Sequence, residues 1–128
     1  MAKNEFPAFG PHLTVDLEQV PFEIQNNLQL HYDFLFELPA IVGMTRIELP
    51  RVFPYSGLVP EDCGITGLVT LAESHCSVHS FERKGWTFID VFSCKSFLTE
   101  QCLEYIVKTF KPGKYTYNIT QRGIGFPR

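Results

Sequence analysis

The chain has 128 residues, 45% of them hydrophobic, with a formal net charge of -3 and four cysteines. That length allows one domain with a buried core, and the mild acidity offers no positive field for a phosphate backbone, which argues against nucleic acid as a partner. No apolar stretch of signal length opens the chain, and charges are never absent for the ~20 residues that a spanning helix needs, so a soluble, cytoplasmic protein with no membrane partner is expected. In that compartment Cys63, Cys76, Cys94 and Cys102 are expected as free thiols.

Residues 12–17 alternate apolar and polar side chains and predict a first, half-buried strand. Pro21 suits the start of a helix over residues 22–38, with Ile24, Leu28, Leu35 and Leu38 facing inward and Pro39 ending it. Residues 41–53 read as an extended stretch interrupted by Pro50, and Pro54-Tyr55-Ser56-Gly57 with residues 60–64 reads as a loop. Three strands follow, over 67–73, 76–81 and 86–92, the last two joined by a charged turn at Glu82-Arg83-Lys84-Gly85. Leu98, Cys102, Leu103, Ile106, Val107 and Phe110 then fall at helical spacing, and Pro112-Gly113 stops the run. Residues 114–120 complete the order as a final strand. The whole predicts one α+β domain over residues 1–128, a two-layer sandwich with two helices covering one face of a mostly antiparallel sheet.

The segment rich in chemistry is Glu73-Ser74-His75, followed by His79 and by Cys94 at the end of Val91-Phe92-Ser93-Cys94. A serine hydroxyl can attack the carbonyl before it and convert the Glu73–Ser74 amide to an ester. Loss of the Ser74 Cα proton then expels the Glu73 carboxylate, and the dehydroalanine left behind hydrolyses to a pyruvoyl group. Such a shift needs a distorted bond and a base titrating near neutrality, for which His79 is the first candidate and His75 the second. A hairpin centred near Lys84 pairs positions summing to about 168, which brings Cys94 to the level of Ser74. Five extended residues, however, carry His79 ~16 Å from Ser74 at ~3.3 Å each, so a sharp turn over residues 74–76 is expected. His75, Cys76, His79 and Cys94 are also ligand types suited to zinc, but their spacing fits no usual site, and no metal is expected.

Ser74, His79 and Cys94, spaced by five and fifteen residues, together with Gly10-Pro11-His12-Leu13 and the run from Thr66-Gly67 to Cys94, resemble the short bacterial and archaeal S-adenosylmethionine decarboxylase proenzymes. The resemblance implies a self-cleaving decarboxylase of polyamine biosynthesis, with a β chain of residues 1–73 and an α chain of residues 74–128. Its cofactor would be the pyruvoyl group made from Ser74, which forms a Schiff base with an α-amino acid and draws off the electrons left by CO2. It also implies Cys94 as proton donor, Thr66 as a hydroxyl assisting processing, Phe53 or Tyr55 stacking on adenine, and a homodimer whose sites use both protomers. Two departures stand out. Arg83 occupies the position of a ribose-binding Glu, and a guanidinium has donors but no acceptor; Glu82 substitutes only if the strand bulges. Residues 56–65 are also longer than the family's loop. These changes leave L-ornithine or L-arginine as alternative substrates, and a silent, uncleaved subunit as a further reading.

Overall fold

The computed structural model describes residues 8–127. Six strands form one sheet in the order β2-β3-β4-β5-β1-β6: β1 (Gly10–Glu18), β2 (Arg51–Tyr55), β3 (Gly64–Leu71), β4 (Ser74–Phe81), β5 (Trp86–Phe92) and β6 (Lys114–Arg122). Every neighbouring pair is antiparallel. Three helices, α1 (Phe22–Gln25), α2 (Leu28–Ile41) and α3 (Thr99–Phe110), complete the α+β fold expected from the sequence.

The core forms where the period-2 pattern of the strands meets the apolar stripes of the long helices. Leu13, Val15, Leu17, Val69, Cys76, Val78, Ile89 and Val91 are fully or almost fully buried on one face of the sheet, and Phe34, Leu35, Leu38, Cys102, Ile106 and Phe110 cover them. Phe34 meets Phe110 edge-on at 5.0 Å and stacks on Tyr105 at 5.5 Å, locking α2 to α3. At Gly67 a methyl group would meet Leu35 and Val78, so the missing side chain lets α2 lie close to β3.

The single helix expected over 22–38 is two helices. Asn27 is extended (φ -103, ψ 98) and its side chain accepts from the Leu30 N–H at 3.0 Å, so capping a new helix wins over continuing the old one. Leu28 consequently sits in an exposed first turn, at 45% exposure, instead of facing inward. Pro39 does not end α2 but lies buried in its last turn, where a missing N–H removes only one bond. Ile41 belongs to α2, and the extended stretch shrinks to β2, which includes Pro54 and Tyr55. Proline is tolerated there because β2 is a sheet edge. β4 and β5 pair one position away from expectation: His75 faces Phe92 and Phe81 faces Trp86. This register places Cys76 against Val91, both buried, and so keeps the apolar residues of both strands on the core face.

Candidate active site

β3 and β4 are joined by a two-residue turn, Ala72-Glu73, with Leu71 paired to Ser74. Glu73 has φ +66, in the left-handed region that costs a residue with a side chain roughly 1–2 kcal/mol. The turn is held from two sides. The Ala72 N–H donates to the Thr45 carbonyl at 2.9 Å, and the Cys94 thiol donates to the Ala72 carbonyl at 3.5 Å. The Glu73–Ser74 bond therefore leaves a strained residue and enters the first residue of a strand. The Glu73–Ser74 bond was expected to be cleaved and to lie on a loop, and it lies at this turn; the bend expected over residues 74–76 is absent, because Ser74–Phe81 is one continuous strand.

Ser74 Oγ accepts a hydrogen bond from the Cys94 backbone N–H at 2.8 Å. That donor fixes the hydroxyl oxygen, leaves its proton free to be removed, and stabilises charge that develops on it. Cys94 is carried there by the end of β5, and the opening motif explains how. The Ser93 N–H donates to the Pro11 carbonyl at 3.0 Å, and a side chain at Gly10 would overlap the Ser93 carbonyl. Cys94 is partly exposed, whereas Cys76 and Cys102 are fully buried. Burial pushes the Cys102 thiol up to about 12 and the Cys76 thiol higher still, which disqualifies both as acids near neutral pH.

Thr66 and His79 sit farther along the same hairpin. They face each other across β3 and β4, with Thr66 Oγ1 and His79 Nδ1 3.4 Å apart. An interval of five along unbroken strand separates His79 from Ser74, ~16 Å of chain, and this odd interval turns the two side chains to opposite faces of β4. Within one chain, then, Ser74 and Cys94 form one group and Thr66 and His79 another. His75 adjoins Ser74 but projects to the sheet face away from the helices, where its ring lies 5.7 Å from Phe92 and 6.5 Å from His12.

Thr66 and His79 border a cleft of about 530 Å³ that also takes in Phe53, Tyr55, Phe81 and Asp62. Asp62 ends a short 3-10 turn, Pro60–Asp62, inside the long β2–β3 loop. Glu82 and Arg83 stand on the β4–β5 turn and are not among the lining residues of this cleft. The Glu82 carboxylate instead accepts from the Cys63 thiol at 3.7 Å. The zinc-suited set does not converge: Cys76 points into the core while His75 and His79 point to the other face, and no metal-holding cluster occurs among the described residues.

The profile of the family described as S-adenosylmethionine decarboxylase matches residues 11–123. The chain belongs to the S-adenosylmethionine decarboxylase family. Membership makes it one of a family of pyruvoyl-dependent carboxy-lyases. It is 31% identical over 122 residues to an S-adenosylmethionine decarboxylase proenzyme 2 of Bacillus cereus, covering 94% of each chain. It is 30% identical over 123 residues to the S-adenosylmethionine decarboxylase proenzyme of Thermococcus kodakarensis, covering 94% of this chain and 81% of that one. The crystal structure of the adenosylmethionine decarboxylase from Aquifex aeolicus superposes with a TM-score of 0.76 at 23% identity, over 91% of this chain and 92% of that one, a likeness of fold. The sequence reading of the family and of its α+β architecture is thereby upheld. It missed Asp62 and the Thr45 carbonyl: the excess length of the β2–β3 loop was visible, but not where that loop would lie.

Proposed function

We propose that this chain cleaves itself between Glu73 and Ser74 and, as residues 1–73 and 74–128, removes the α-carboxylate of S-adenosylmethionine for polyamine synthesis. The observation that carries the reading is Ser74 Oγ, held by the Cys94 N–H at the exit of a strained turn. Attack of Oγ on the Glu73 carbonyl carbon breaks the C–N bond and forms an ester. Removal of the Ser74 Cα proton by an imidazole expels the Glu73 carboxylate; water then displaces ammonia from the new terminus. The residues present fit the pyruvoyl group so made, which supplies an electron sink for the electrons left as CO2 departs. In this reading the Cys94 thiol, which donates to the Ala72 carbonyl of the same turn, delivers a proton to the substrate carbon.

His79 is the base of this reading, and it reaches Ser74 only from a second copy of the chain. Exposed apolar side chains on the helix-free sheet face, Leu68 and Phe88 at about two-fifths exposure, support pairing of two such faces in a homodimer. Cys63, Cys76 and Cys102 as unbridged thiols support a reducing, cytoplasmic setting. No helix among the described residues is long and apolar enough to cross a membrane.

Intact mass under denaturing conditions tests the first step. Two fragments, one ending at Glu73 and one beginning with pyruvoyl, are expected, with release of CO2 from S-adenosylmethionine. An aged chain that stays whole sinks the reading.

A further inference from the structure

The β2–β3 loop is fastened to the β4–β5 turn at two adjacent points. Asp62 Oδ1 accepts from Lys84 Nζ at 2.7 Å, and the Cys63 thiol donates to Glu82. These ties hold the loop against the cleft beside His79, which Leu58, Val59 and Asp62 line together with Phe53, Tyr55 and Phe81. Among the described residues lining that cleft, Asp62 carries the one carboxylate. Lys84 does not line it; it meets Asp62 from an adjoining hollow bordered by Phe81, Trp86 and Phe88. Lys84 thus holds one carboxylate oxygen, and an ionised carboxylate keeps further acceptor capacity for donors that enter the cleft.

A cleft of aromatic and aliphatic walls with one carboxylate acceptor suits a ligand with an apolar or planar body that ends in hydrogen-bond donors. Resting on the decarboxylase reading, we propose that Asp62 is a specificity-determining residue that accepts hydrogen bonds from the donor-bearing distal end of the α-amino-acid substrate. Sugar hydroxyls, an ammonium and a guanidinium share this chemistry. Arg83, outside the lining, does not compete for the role.

Calorimetric binding to a Ser74→Ala chain tests the proposal without any cleavage or turnover, with S-adenosylmethionine, L-ornithine and L-arginine as separate ligands. Whichever ligand binds the parent identifies the source of the donors. Asp62→Asn on that background should weaken its binding about tenfold or more, as loss of a charged acceptor does. Lys84→Met, which cuts the same loop tether but keeps the carboxylate, should weaken binding by clearly less than Asp62→Asn does. Equal losses in both variants, no loss in Asp62→Asn, or a parent that binds none of the three would overturn the proposal. A wild-type chain that never splits defeats the decarboxylase reading alone, because these measurements do not depend on splitting.

Discussion

The Cys94 N–H donates to Ser74 Oγ across 2.8 Å, while the Cys94 side chain turns toward the carbonyl two residues before Ser74. In the proposed reaction one residue would serve the site twice, by backbone for the cleavage and by thiol for the later proton transfer. The two functions separate by mutation. Cys94→Ala keeps the backbone donor, so the chain should still split at Glu73–Ser74, whereas CO2 release should fall about 100-fold or more through loss of the acid. Denaturing mass and a CO2 assay on the same sample check both halves.

Strain at Glu73 gives a second prediction. Glycine adopts φ +66 without penalty, so Glu73→Gly should relieve about 1 kcal/mol, stabilise the uncleaved chain by that amount and slow self-cleavage roughly fivefold. Urea unfolding of the uncleaved protein and the time course of fragment appearance are the measurements. Faster cleavage in the variant would show that the turn stores nothing used in the reaction.

Separation of Ser74 from His79 along one straight strand predicts complementation. Ser74→Ala and His79→Asn chains should each be inactive alone. Mixed after unfolding and joint refolding, they should regain about a quarter of the wild-type sites, because half the dimers are mixed and each has one complete site. No recovery would mean that the two groups do not meet across an interface.

His31 supplies a pH dependence. It is fully buried, with Nδ1 2.8 Å from the Asn27 carbonyl and Nε2 2.6 Å from the Ser80 hydroxyl. Donation from Nδ1 to the carbonyl leaves Nε2 to accept from Ser80, which is the neutral ring. Ser80 continues to Thr87 and Thr87 to Gln25, so the ring is embedded in a buried polar chain under α2. Burial lowers its pKa below the ordinary 6.5, opposed by the backbone bond to Asn27. The unfolded chain then takes the proton first as pH falls, so stability is full above about 6.5 and is lost on acidification toward the lower folded value. Urea midpoints at pH 7.5 and 5.5 should drop on acidification in the wild type and drop less in His31→Asn.

Much of this protein is legible in the order of its residues. The β5 strand, the charged turn before it, the amphipathic α3 and the final strand follow from period and punctuation alone, since alternation, Pro-Gly stops and 3.6-residue spacing are local signals. The break between α1 and α2 was not legible: Asn26-Asn27 inside an apolar helical pattern is ambiguous until Asn27 is seen capping Leu30. Register was missed by one position for a similar reason. A turn rich in charged residues fixes hairpin pairing only loosely, and burial of Cys76 against Val91 made the choice.

Of the site, the sequence by itself determined which chemistry is available: a serine after a carbonyl, two imidazoles, a thiol and the spacing that marks the family. Tertiary structure alone decided what meets what. It set Cys94 on Ser74, turned His79 to the other face, and folded the long loop so that Asp62 borders the cleft. The reason is physical. Residue type fixes proton affinity and nucleophilicity, but encounter depends on strand register, face and loop anchoring, which are set by burial of residues far from the site.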